Sequence, residues 1–251
     1  MYIDTHCHLS KEDYDDIDLV VKENIDAGVS KMIISGCSFD SILESLNLIK
    51  KYKNIYATIG FHPSEADIIG ENDLLFLEEK LKINKVVGIG EIGLDYHYGK
   101  ENILKQKDLF RQQLCLADKY KLPVVIHSRD ATLDTINILK EFSNVKGVIH
   151  CFNGSLETAK EYISLGYYLG IGGVITFKNC KLSEVIKKIG LSNIVFETDS
   201  PYLTPVPFRG KKNSSKYLFY ISKKVSECVD KEELEVSKII ESNTYELFDL
   251  K

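Results

Sequence analysis

Short runs of β-branched and other apolar residues alternate along this chain with longer amphipathic stretches, the pattern of strand–helix units repeated around a parallel sheet. The runs that predict strands are 2–8, 31–36, 55–61, 86–91, 123–127, 147–151, 168–172 and 194–199. Helical periodicity fills the intervals. In 101–120, for example, Leu104, Leu109, Leu114 and Leu116 recur among polar residues. Eight such units suit an open doubly wound sheet less well than a closed eight-fold barrel, whose usual size this 251-residue chain matches. The expectation is therefore an α/β fold, a TIM-type (β/α)8 barrel, forming one domain over 1–251. The Pro/Arg/Lys-rich stretch 201–216 reads as a long loop after the eighth strand, and the rest as one or two closing helices, including an extra C-terminal helix.

Composition adds little: 44% hydrophobic and 27% charged residues are ordinary for a soluble globular protein. Met1 leads straight into Tyr-Ile-Asp-Thr-His with no basic region and apolar run behind it, and no apolar stretch approaches the ~18 residues of a membrane span. A cytoplasmic protein with no membrane partner is expected. The six cysteines, Cys7, Cys37, Cys115, Cys151, Cys180 and Cys228, are scattered without a C-x-x-C pair. They exclude a zinc ribbon or dense disulfide framework, and most are expected to be small buried hydrophobes. A formal charge of −5 repels polyanions, so a nucleic-acid substrate would need bound metal or a local basic patch. Arg209, Lys211, Lys212 and Lys216 are the local candidate, against the simpler reading of a solvated loop.

The histidines are more telling. All six, His6, His8, His62, His97, His127 and His150, fall at or just beyond the end of a predicted strand, and active sites of such barrels lie at that face. His6 and His8 are two apart on a strand, so both can face one cation. Glu91 and Asp199 each end an otherwise apolar run, where an ionised carboxylate needs a cation or a hydrogen-bond network. His127 and His150 likewise close apolar runs; either alone reads more readily as a satisfied core residue than as a ligand. Together, four imidazoles and two carboxylates suffice for two divalent ions, the arrangement in which cations ~3.5–4 Å apart activate a water between them for hydrolysis. The mixed donors suit Zn, Mn, Fe or Ni, with Mg as a weaker occupant.

These segments make the sequence resemble the TatD family of metal-dependent deoxyribonucleases, within the wider amidohydrolase-like barrels. The matching motifs, in order, are Ile-Asp-Thr-His-Cys-His-Leu at 3–9, Gly-Phe-His-Pro at 60–63, Gly-Glu-Ile-Gly-Leu-Asp-Tyr at 90–96, Ile-His-Ser-Arg at 126–129, Ile-His-Cys-Phe at 149–152 and Glu-Thr-Asp-Ser-Pro-Tyr-Leu at 197–203. The resemblance implies that His6, His8 and Asp199 bind one metal, that Glu91 bridges, and that His127 and His150 bind the second. It makes Asp199 the acceptor of a proton from the attacking water. A glutamate where many relatives in the wider superfamily carry a carboxylated lysine points to the TatD branch. His62 resembles a substrate-phosphate contact; Arg129 and Arg209 are further candidates for substrate, while Asp95 and Tyr96 either touch substrate or shape their loop. After the eighth strand, the family's Pro-His-Arg-Gly-Lys-Arg-Asn-Glu-Pro appears here with Phe208 for the histidine and Ser214-Ser215 for Glu-Pro, departures that bear on substrate preference.

The leading expectation is exonucleolytic hydrolysis of single-stranded or end-bearing DNA from a 3′ end. A second is hydrolysis of an ester or amide, such as deacylation of misacylated tRNA, since the same chemistry attacks carbonyl carbon. A third is a non-catalytic nucleic-acid-binding barrel. Basic groups around the mouth favour phosphate; a small closed apolar pocket favours the second.

Overall fold

A computed structural model describes residues 1–97, 99 and 101–250. Eight parallel strands lie in chain order, β1 (Tyr2–Cys7), β2 (Val29–Gly36), β3 (Ile55–Ile59), β4 (Val86–Asp95), β5 (Val124–Arg129), β6 (Gly147–Ile149), β7 (Tyr167–Ile171) and β8 (Ile194–Phe196). Helices α1 (Ile17–Asp26), α2 (Phe39–Lys51), α3 (Glu71–Lys80), α4 (Ile103–Tyr120), α5 (Thr132–Lys140), α6 (Leu156–Ser164), α7 (Leu182–Ile189) and α8 (Leu218–Val229) return the chain between strands and after β8. Side-chain caps start several of them: Asp16 accepts from Leu19 N, Ser38 from Ser41 N and Ser155 from Thr158 N, relieving amides that the first helical turn leaves without partners.

The barrel is nearly closed. Ladder pairing joins each strand to the next from β1 to β8, while the last lip meets the first through the residues beyond β8. Asp199 N donates to His6 O (3.0 Å) and His8 N to Ser200 O (2.7 Å). Asp4, fully buried, accepts from Thr198 N (3.0 Å) and Thr198 Oγ1 (2.5 Å). An extra helix, α9 (Glu233–Phe248), closes the wall: Asn243 Nδ2 donates to Leu191 O (2.7 Å) and Ile194 O (2.8 Å) on the β8 side.

Most of the core lies between strands and helices. A smaller apolar layer fills the barrel itself, from Ile3, Ile33, Tyr56, Val125, Val148 and Val195, with Phe248 and Leu250 from the end of the chain. Two residues further along β5 and β6, and just past β8, the same inward direction brings His127, His150 and Glu197 above that layer. On β1 the pairing register breaks between Asp4 and Cys7. Cys7 packs outward with the helices, which leaves His6 and His8 facing in.

Strand ends shift by one or two residues at most positions, and two differ more. β4 runs to Asp95, because Ile92, Gly93, Leu94 and Asp95 pair with 126–129 of β5. β8 stops at Phe196, because Thr198 and Asp199 turn away to bond β1. The cysteines differ too: all are free, but only Cys7 and Cys228 are buried, Cys115 is exposed and the rest are half-buried. Among the described residues no helix is long and apolar enough to cross a membrane.

Candidate metal centre

His6 and His8 reach the C-terminal mouth from β1, Glu91 from β4, His127 from β5, His150 from beyond β6 and Asp199 from beyond β8. The two oxygens of the buried Glu91 carboxylate face different partners. Oε2 is 3.6 Å from His6 Nε2, whereas Oε1 is 2.6 Å from His127 Nδ1 and 3.8 Å from His150 Nε2. Asp199 Oδ1 stands 3.5 Å from His8 Nε2, 3.7 Å from His6 Nε2 and 3.8 Å from His150 Nε2. The backbone at Asp199 has a φ of 54°, a left-handed conformation that aspartate tolerates better than most residues. His6 Nε2 and His8 Nε2 are 3.2 Å apart, close to the ~3.3 Å separating two imidazole ligands at 2.0–2.1 Å from one tetrahedral cation. His6–His8–Glu91 and His6–His150–Asp199 each form a group of donors able to hold a metal ion.

A second ring of carboxylates stands behind the imidazoles. Asp95 Oδ2 lies 3.1 Å from His127 Nε2, leaving Nδ1 to face Glu91. Glu197 Oε1 lies 3.1 Å from His150 Nδ1, leaving Nε2 to face the centre; the contact is an ion pair without hydrogen-bond alignment. Such outer carboxylates fix ring orientation and strengthen a metal-binding imidazole. Gly170 leaves room for the one behind His150: a Cβ there would sit 2.3 Å from Glu197 Oε2. The field they create is strong. Burial lowers the pKa of His127, but Glu91 and Asp95 push it up to about 9. For His150 burial is likewise outweighed, by Glu197 and Glu91, and its pKa rises to about 10. Burial, then the neighbouring His150, instead holds His6 well below the ordinary imidazole value. Burial would raise the pKa of Glu91, but His150 and His127 hold it well below the carboxylate range. The cluster thus brings buried carboxylate charge and ring nitrogens together, which suits divalent cations that displace the imidazole protons.

The cluster opens into a cavity of about 580 Å³. His62 lines it, with its ring edge-on to His127 at 4.6 Å between centroids. Ser64 N donates to His62 Nδ1 (3.1 Å), and burial pushes the ring's pKa down to about 4, so the neutral ring carries its proton on Nε2. Arg129 also lines the cavity; Arg209 does not, lying 3.9 Å over the Phe177 ring and donating to Thr204 O (3.2 Å). His97, expected at the mouth with the other imidazoles, is exposed and faces Asp130 at 3.1 Å, because β4 continues four residues past Glu91 and carries it to the rim. Tyr96 shapes its loop, donating to Asp134 (2.8 Å).

The basic run is largely engaged: Lys216 pairs with Glu23 at 2.6 Å, Lys212 donates to Asp13 O, and Lys211 lies over the Phe208 ring. Phe208 stacks on Tyr217 (4.5 Å), and Ser214 Oγ donates to Asn24 Oδ1 of α1 (2.6 Å), so Phe208 and Ser214 are each taken up by packing away from the cavity. Sequence reasoning missed Glu197, whose two-residue spacing from Asp199 repeats that of His6 and His8 and was the available signal. It also missed Asp4, which accepts from His6 N (3.3 Å) beneath the cluster.

A barrel with a buried imidazole–carboxylate cluster at the C-terminal ends of its strands has the construction of a metal-dependent hydrolase. The chain belongs to the family described as TatD related DNase, whose model matches residues 3–249. It is 41% identical over 252 residues to the uncharacterized metal-dependent hydrolase YabD of Bacillus subtilis, covering 99% of each chain. Among solved structures it is similar to the TatD homolog YjjV of Escherichia coli, with 31% identity, a TM-score of 0.91 and coverage of 100% and 98% of the two chains. A hydrolase TatD family protein from Entamoeba histolytica gives 25% identity and a TM-score of 0.85, covering 98% and 97%.

Proposed function

We propose that this protein is a metal-dependent deoxyribonuclease that removes nucleotides from the 3′ end of single-stranded or end-bearing DNA. The observation that carries the reading is the division of Glu91 between two sets of imidazoles, with Asp199 reaching both. That gives donors for two cations, with His6, His8 and Asp199 on one side, His127 and His150 on the other, and Glu91 shared. Zn, Mn, Fe or Ni match the donors best, with Mg a weaker occupant. Divalent cations held there would supply Lewis-acid charge to the phosphate and acidify a water.

The remaining groups have separate tasks. Asp199, part-exposed at the cavity floor, accepts the proton of the attacking water. His62 offers its Nε2–H to a phosphate oxygen, and Arg129 supplies positive charge at the wall. A mouth of this size admits the end of a strand more readily than the middle of a duplex.

One observation favours the second reading, ester or amide hydrolysis. Arg129 is the one Arg or Lys among the described lining residues, and Glu12, Asp13, Glu44 and Glu65 share the wall. The deciding experiment combines metal analysis of the reconstituted protein with digestion of 3′- and 5′-labelled single-stranded DNA. Mononucleotide release from the 3′ end supports the proposal. Hydrolysis of esters or amides with intact DNA transfers the site to the second reading, and full reconstitution that never exceeds one ion removes the binuclear centre.

A further inference from the structure

Tyr202 carries a large apolar ring that is 57% exposed at the edge of the cavity holding the ligand cluster. Its ring meets His8 at 6.2 Å between centroids with an interplanar angle of 67°, so the neighbouring imidazole is not stacked parallel on it and more than half of the residue stays open to solvent. The backbone beneath is anchored at both ends. Tyr202 N donates to Asp199 O (2.8 Å), and Tyr202 O accepts from Asn213 Nδ2 (2.5 Å). Asn213 is in turn buried, donates to Thr198 O (2.9 Å), and accepts from Tyr14 OH (2.9 Å). The ring is thus presented on a fixed support three residues from Asp199.

An exposed aromatic ring beside a phosphodiesterase centre matches the stacking platforms of single-strand-binding proteins, which accept any base because every base has a π-face. The charges nearby limit what can extend past it. Glu12 and Asp13 line the same cavity, and burial followed by the charges of Asp13 and Asp199 raises the phenol's pKa. A further phosphate on that side would meet this negative field; a neutral base at the end of a strand would not.

We infer that Tyr202 stacks on the base of the terminal nucleotide, and so sets the enzyme's preference for an end that carries a base. This rests on the phosphodiesterase reading above. The test is steady-state kinetics on two single-stranded oligodeoxynucleotides that differ only at the attacked terminal residue, a normal purine nucleotide in one and a base-free tetrahydrofuran nucleotide in the other. The wild-type protein should show the lower KM for the base-bearing end. Tyr202→Ala should raise KM on that substrate by about 5- to 150-fold, the range for loss of one base–aromatic stack, with kcat unchanged and the base-free substrate unaffected. Tyr202→Phe should behave as wild type. Because the ring is exposed, truncation leaves the core intact. A preference that survives in Tyr202→Ala, or a loss of kcat equal on both substrates, overturns the inference while leaving the nuclease assignment standing. Wild-type protein that cleaves neither oligonucleotide overturns both.

Discussion

Replacing Glu197 with Gln tests whether the carboxylates behind the imidazoles tune the centre. Glu197 is fully buried; its Oε1 accepts from Cys151 N (2.5 Å) and lies 3.1 Å from His150 Nδ1, while Oε2 has no partner. A glutamine oxygen can keep the contact to Cys151 N, and its amide nitrogen replaces an oxygen that was already unpaired. What disappears is the charge. Outer-shell partners of metal-binding histidines are worth about 10–100-fold in metal affinity, or about 1.4–2.8 kcal/mol at 1.4 kcal/mol per tenfold. The loss should fall on whichever cation His150 holds, leaving the His6–His8 side less affected. Competition between chelator-stripped protein and a metal-sensing dye measures it, with circular dichroism as the check on folding. A folded Glu197→Gln variant that holds both cations within about twofold of wild type would refute the argument. Gly170→Ala offers an independent approach, since its Cβ would displace the same carboxylate by steric contact.

Four other outcomes are expected. Glu91→Gln keeps shape but removes the charge shared between the two imidazole sets; turnover should fall by several orders of magnitude, and near-normal turnover in metal-replete protein would make Glu91 structural. Asp4→Ala leaves His6 N and Thr198 Oγ1 without the acceptor they use and Thr198 N with only His6 O at 3.4 Å, and should cost at least ~2 kcal/mol in denaturant melts; Asp4→Asn, whose oxygen can accept from both N–H groups while its amide donates to Thr198 Oγ1, should cost far less. Burial raises Asp4 to about 7, above its unfolded value, so the folded state binds the extra proton. Stability of chelated wild-type protein should therefore decline as pH rises from ~4 towards 7 and level off above, a component absent from Asp4→Asn. Finally, His127 and His150, raised to about 9 and about 10, carry protons at pH 7 when chelated. Metal binding should release about two protons and tighten as pH rises to 9; calorimetry in buffers of different ionisation enthalpy reads this, and no proton release would contradict it.

The barrel was legible because its period is repeated in every unit, and the cluster because its members end apolar strands. The misreadings come from long-range contacts that a local pattern does not carry. The expected fourth strand ends at Glu91, yet Gly93 lets β4 continue past β5, where a Cβ would sit 2.0 Å from His127 O; that continuation carries His97 to the rim. The run 194–199 looks like one strand because nothing local announces that Thr198 will pair with Asp4, 194 residues away. Glu197 was read as an ordinary member of an apolar run, since its meaning depends on His150 from a different strand. Arg209 and the lysines beside it have the composition of a phosphate patch, but the partners Phe177, Glu23 and Asp13 lie far from them along the chain.

The seam between β1 and β8 also orders the protein's biosynthesis. His6 and His8 stand on one lip, and Asp199 with Glu197 on the other; the bonds across it join residues up to 194 apart. On the ribosome, the first six strands can bring Glu91, His127 and His150 into register while the β1 lip still waits for its neighbour. The centre cannot be completed until residue 199 has left the exit tunnel. Cations gripping both lips would then act as a latch, binding only the closed ring and stabilising it by mass action, by about 2.7 kcal/mol at a hundred times the dissociation constant. A newly made chain would thus gain its hydrolytic centre and its locked barrel in the same event.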